Sequence, residues 1–139
     1  MSEMTRILLV EDDVDVRPLM EHVLLTAGYE VDSAASVRSA AMLLGRRSYD
    51  LVVADGRLPD GTGMMAADRA AEKGVKALIV TAYAYSLPRE ELLRYPYLEK
   101  PVRPNELLRE IEQTLDQSAD GQGSAGATEY PFPCWRDEV

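Results

Sequence analysis

Three short apolar runs limit this chain more than any other feature: residues 6–10 (RILLV), 50–54 (DLVVA) and 76–80 (KALIV). None alternates apolar with polar side chains, so none has a face left for water. That is the pattern of strands buried on both faces, as in a sheet covered by helices on either side. The stretches between the runs have helical period. From Val16 the apolar positions are 16, 19, 20, 23, 24 and 27, one stripe of an amphipathic helix, with Pro18 tolerated in its first turn and Gly28 ending it. Residues 29–33 read as a second strand, and Ser36 caps a helix bearing Val37, Ala40, Ala41 and Leu44 that Gly45 should stop. Residues 59–63 form a loop before a small-residue helix from Met64 to about Lys73. Residues 88–94 allow only two turns of helix, residues 97–99 a short fifth strand, and Pro104 opens a last helix with Leu107, Leu108, Ile111 and Leu115 inward. The expected fold is α/β: a doubly wound, five-stranded parallel sheet with helices on both faces and a shortened fourth helix.

The 139 residues make one domain of usual size, and 46% hydrophobic against 28% charged residues is an ordinary globular balance. A net charge of −9 disfavours nucleic acid, which is held by clustered cations. One cysteine excludes an internal disulfide, and a single histidine argues against a His/Cys zinc site. No apolar run approaches the length of a membrane span, and residues 1–6 (MSEMTR) have no signal-peptide core, so a cytoplasmic location is expected. The composition changes after Leu115. Residues 4–115 are assigned to the domain, 116–129 (DQSADGQGSAGATE) to a flexible linker, and 130–139 (YPFPCWRDEV) to an aromatic tail.

Ligands of open α/β sheets bind beyond the C-terminal ends of the strands. The first strand here ends in Glu11-Asp12-Asp13, the third in Asp55, the fourth in Thr81 and the fifth in Lys100. Carboxylates about 4 Å apart repel by about 4 kcal/mol at an effective dielectric of 20. Glu11, Asp12 and Asp55 together therefore call for cations, and a hard divalent ion such as Mg²⁺ suits such a donor set beside Lys100. A carboxylate is also a competent nucleophile toward a phosphoryl group, with metal, ammonium and hydroxyl taking up the developing charge. Asp55, alone at the end of the central strand, is the natural acceptor. Asp13 fits a helix-capping role instead.

With these residues in place, the chain resembles the receiver domain of two-component response regulators, of the stand-alone type. The matching pieces are ILLVEDD at 7–13, DLVVADGRLPDGTGM at 50–64, LIVTAY at 78–83 and YLEKPV at 97–102. The resemblance implies a flavodoxin-like receiver fold with Asp55 as the phosphorylated residue. It implies Asp12 as a direct Mg²⁺ ligand, Glu11 acting through water, and the Arg57 carbonyl as a backbone ligand. It further implies Thr81 and Lys100 as partners of the phosphoryl group, Tyr97 as a switch aromatic coupled to Thr81, and a cis Lys100–Pro101 peptide. The implied partners are a histidine kinase or histidine phosphotransfer protein and a downstream protein, with no nucleic acid and no membrane. Catalysis beyond self-phosphorylation from phosphodonors and slow autodephosphorylation is not implied.

Three features depart from the family pattern. Asp55 to Thr81 spans 26 positions and Thr81 to Lys100 spans 19, both shorter than the family leads one to expect. The shortened fourth helix weakens the family's usual dimerisation face, so a monomer or weak dimer is expected. Gly56 and Arg57 follow the acceptor where bulkier or apolar residues are common; Arg57 and Tyr83 either gate the acceptor or are solvated loop side chains. Two other readings compete. A haloacid-dehalogenase-like phosphatase needs a second Asp where Arg57 stands, and a receiver-like scaffold would never be phosphorylated. In the tail, Tyr130, Phe132 and Trp135 are expected to fold back on the domain rather than dock on a partner, and Cys134 has only Arg136 beside it as a cation.

Overall fold

The computed structural model describes residues 4–116. The tail aromatics Tyr130, Phe132 and Trp135, Cys134, and all of the expected linker except Asp116 lie outside the described residues. Within them the order is β1 (Arg6–Val10), α1 (Val16–Thr26), β2 (Glu30–Ala34), α2 (Val37–Arg46), β3 (Leu51–Ala54), β4 (Arg57–Leu58), β5 (Gly61–Thr62), α3 (Gly63–Ala71), β6 (Lys76–Thr81), α4 (Arg89–Leu92), β7 (Tyr97–Glu99) and α5 (Pro104–Asp116). A five-stranded sheet in the order β2-β1-β3-β6-β7 is parallel throughout, and β4 and β5 form a separate small hairpin.

The apolar runs are buried on both faces, as expected. Leu8, Val10, Val52, Ala54 and Ile79 pack with α2 and α3 on one side of the sheet. Their neighbours Ile7, Leu9, Leu51, Val53, Leu78 and Val80 pack with Leu24 of α1 and Leu107 and Ile111 of α5 on the other. The two clusters interleave residue by residue because successive strand side chains point to opposite faces.

Local details correct the sequence reading in places. Helix α2 begins at a capping box in which Ser36 and Ser39 exchange side chain and backbone bonds, but it runs through Gly45 to Arg46. Glycine only weakens a helix, and packing of Val37, Ala40 and Leu44 carries it past that residue. Leu19, counted into the stripe of α1, is 68% exposed, whereas Leu24 is fully buried. Helix α3 starts at Gly63, where Thr62 caps Met65, and ends two residues before Lys73. The fourth helix is reduced to a single turn at 84–86 and the four residues of α4. No helix among the described residues is long and apolar enough to cross a membrane.

Candidate functional site

Backbone bonds carry the sheet one residue past the strand ends and set the acids side by side. The Glu11 N–H donates to the Ala34 carbonyl at 2.9 Å, and the Asp55 N–H donates to the Val10 carbonyl at 2.9 Å. Glu11 is thereby buried at 1% exposure, Asp55 sits at 9%, and Asp12 faces solvent. One carboxylate oxygen from each of Glu11, Asp12 and Asp55 lies within 4.8 Å of the others. This is the cluster expected from the strand ends.

Lys100 reaches into it from the end of β7. Its Nζ lies 2.9 Å from Glu11 Oε1 and 3.5 Å from Asp55 Oδ2. Its backbone N–H donates to the Thr81 carbonyl at 2.9 Å, and the Lys100–Pro101 peptide is cis, as the resemblance implied. Burial pushes the Glu11 carboxyl above its ordinary range, opposed by the Lys100 hydrogen bond and reinforced by the charge on Asp55. Burial would lower the Lys100 ammonium, but the bond to Glu11 and the charges of Asp55 and Glu11 outweigh it and hold the value above normal.

The remaining candidates border this cluster. Thr81 is fully buried, and its hydroxyl accepts from the Tyr83 N–H at 3.0 Å. Tyr97 is turned inward at 4% exposure, in the apolar cluster that holds Ala84, Leu87 and Leu92. The Arg57 N–H lies 3.4 Å from Asp55 Oδ1. Its guanidinium stacks 4.5 Å above the Tyr83 ring and donates to Ser86 Oγ at 3.1 Å. Arg57, at the start of β4, and Tyr83 thus meet side chain to side chain while both remain exposed. Asp13 does what was expected of it, accepting from the N–H groups of Asp15 (2.8 Å) and Val16 (3.1 Å) where α1 begins. Two neighbours escaped the sequence reading. Arg17 Nη1 donates to the Glu11 carbonyl at 3.0 Å, and a side chain at Gly63 would meet the Asp55 carbonyl at 2.2 Å. The six-residue spacing of Arg17 from Glu11, at a helix start, was the available signal for the first; nothing in the sequence signals the second.

Three carboxylates converge here beside one ammonium that pairs with only two of them, Glu11 and Asp55, a donor set with more negative charge than Lys100 balances. Hard oxygen donors, two of them at the margin of the solvent, fit a Mg²⁺ ion well.

Comparison with known proteins agrees with this geometry. The sequence profile of the response regulator receiver domain matches residues 7–112. The chain is 38% identical over 114 residues to an uncharacterized 14.6 kDa protein of Leptolyngbya boryana, covering 77% of this chain and 87% of that one. It is 32% identical over 119 residues to the transcriptional regulatory protein GlrR of Escherichia coli, covering 81% of this chain but 27% of the other, so it spans about a quarter of that relative. Among solved structures, a CheY-like receiver domain protein from Methanospirillum hungatei superposes with a TM-score of 0.75 at 30% identity, covering 83% and 96% of the two chains. The receiver domain of a sensor histidine kinase from Pseudomonas aeruginosa, solved with a magnesium ion coordinated in its active-site cleft, gives 0.72 at 30% identity and 81% and 98% coverage.

Proposed function

This chain belongs to the response regulator receiver domain family of two-component signalling, and from that premise we propose that Asp55 is its phosphoacceptor, supplied by a histidine kinase or histidine phosphotransfer protein. The observation that supports this reading best is Lys100 bridging the buried Glu11 and the less buried Asp55, beside an exposed Asp12. Asp12, Asp55, Glu11 and the Arg57 carbonyl would hold Mg²⁺, and that ion when bound would neutralise charge on the phosphoryl oxygens.

The work of the chain's own residues follows from their places. An Asp55 carboxylate oxygen attacks the phosphorus of phosphohistidine; the O–P bond forms as the P–N bond breaks, and the imidazole leaves as a neutral base once it holds a proton. Lys100 Nζ, already 3.5 Å from Asp55, pairs with a phosphoryl oxygen. Thr81 exchanges its bond from the Tyr83 N–H for one donated to a phosphoryl oxygen. The new group adds about −1.5 to −2 charges, and Thr81 with Tyr97 shifts a pre-existing equilibrium of the α4–β7–α5 surface. Water later hydrolyses the acyl phosphate. Enzymic activity is limited to self-phosphorylation from small phosphodonors and slow autodephosphorylation. Output is phosphorylation-dependent docking on a downstream protein, or onward phosphate transfer, by a cytoplasmic monomer or weak dimer that needs neither nucleic acid nor membrane.

The Arg57 position counts against the phosphatase alternative, since a guanidinium stacked on Tyr83 cannot serve as a general acid carboxyl. The scaffold alternative is separated by experiment. Incubation with acetyl phosphate and Mg²⁺ should add one phosphoryl group by intact mass, and Asp55→Asn should abolish it; an Asp55→Asn protein labelled as fully as wild type overturns the assignment.

A further inference from the structure

We infer that Gly56 is a positioning residue for phosphoryl transfer, holding open the space in which the Thr81 hydroxyl is seated; this rests on the reading of Asp55 as acceptor. Gly56 does not have the positive φ that Gly28 and Gly74 show, so its backbone is one that other residues adopt freely. What excludes a side chain is its surroundings. A Cβ at position 56 would lie 2.6 Å from Leu87 Cδ1, 2.7 Å from Thr81 Oγ1 and 2.8 Å from Thr81 Cβ. All three distances are far inside contact range, and two involve the very side chain that must reach the phosphoryl group.

Neither neighbour yields readily. Thr81 is fully buried at the end of β6, its χ1 is stiff because it is β-branched, and its hydroxyl is held by the Tyr83 N–H. Leu87 is 7% exposed and belongs to the same apolar cluster as Leu92 and Tyr97. It is delivered there by the single turn at 84–86, in the segment that the chain has shortened. The bare Cα after the acceptor is therefore matched to the short connection: Leu87 Cδ1 and the Thr81 side chain occupy the space that a side chain at position 56 would need. A methyl group there would push the hydroxyl from the place where the Tyr83 N–H meets it, and a misplacement near 1 Å can cost about 100-fold in rate.

The test is a cycle of substitutions read by the initial rate of labelling with acetyl phosphate. Gly56→Ala combined with Leu87→Val moves one methyl group from position 87 to position 56, which preserves core volume while keeping the conflict with Thr81. That double variant should label about tenfold more slowly. Its Mg²⁺ affinity, measured by calorimetry, should be unchanged. In a Thr81→Ala background the same pair should cost a smaller fraction of the rate, because the hydroxyl it displaces is gone and only the contact with the Cβ at position 81 remains. An equal fractional loss with and without the Thr81 hydroxyl overturns the positioning role, as does an unchanged rate in the double variant. A wild-type protein that takes no label, or a Thr81→Ala protein as fast as wild type, overturns instead the underlying reading of the site.

Discussion

Two groups of acids along the sheet are bonded differently. Along β2 and at the N-terminal ends of the strands each carboxylate has its own donors: Glu30 pairs with Arg6 at 2.9 Å, and Asp32, midway along β2, takes Arg47 at 3.1 Å and the buried Tyr49 hydroxyl at 2.7 Å. Asp50 accepts from the Arg6 N–H at 2.9 Å. At the C-terminal end Glu11 and Asp55 share Lys100, and Asp12 stands in solvent beside them. The first arrangement is what folding alone favours, since buried polar groups are satisfied where they sit. The second holds more negative charge than one ammonium balances, and groups perturbed in this way gather at functional sites.

The sharpest way to break this comparison is to remove one cation from each group of acids. Lys100→Met should slow labelling by acetyl phosphate about 100-fold or more, the loss typical for a preorganised partner of developing negative charge. Arg47→Met should leave that rate unchanged. Initial rates measured by intact mass decide it; equal effects in both groups would mean that Lys100 is only a structural counter-ion.

Removing an acid from each group should move stability in opposite directions. Asp32→Ala leaves the Tyr49 hydroxyl, in a residue only 5% exposed, without its acceptor and should cost about 1–2 kcal/mol. Asp55→Asn in metal-free buffer removes a charge that presses on Glu11, and should stabilise the fold by about 1 kcal/mol, a fraction of the Coulomb energy because Lys100 already offsets part of it. Urea denaturation with EDTA present reads both signs. A loss of stability in both variants would show that the C-terminal cluster is as well satisfied as the other group.

This contrast also explains what could be read in the sequence. The strands were legible because burial on both faces leaves an unbroken apolar run, and the acids because Glu11 and Asp55 are the first polar residues after such runs, with Asp12 next to Glu11. Their convergence follows from parallel strands ending on one edge. The roles proposed for Arg57 and Tyr97, by contrast, rest on resemblance, because neither residue type nor spacing distinguishes a functional tyrosine from a packed one. Contacts between distant segments were not legible at all. Arg57 meets Tyr83 and Ser86 of another segment, and Leu87 lies against Gly56, through tertiary closeness that no periodicity encodes. Gly45 misled for the opposite reason: a local stop signal was overruled by the packing of Leu44 on the sheet.

Asp60 offers the smallest effect and a refinement of the same contrast. It sits in the turn between β4 and β5, in the loop that follows Asp55, yet it is bonded like the acids of the first group: its carboxylate accepts from the N–H groups of Val37 (2.8 Å) and Arg38 (3.0 Å) at the start of α2. The Val37 bond most of all, with help from Arg38 and against a lesser effect of desolvation, holds its carboxyl below the ordinary range. A depressed value means that the folded state favours the ionised form. The stabilisation is thus complete above the ordinary carboxylate range and fades as pH falls through the lowered value. Asp60→Asn should lower Tm slightly at neutral pH, and the gap from wild type should close in strong acid. Because Asp60 has donors of its own, Mg²⁺ should raise Tm by the same amount in the variant as in wild type. A Tm gap that instead depends on Mg²⁺ would place Asp60 among the acids of the acceptor cluster, and the division between satisfied and shared carboxylates would have to be drawn elsewhere.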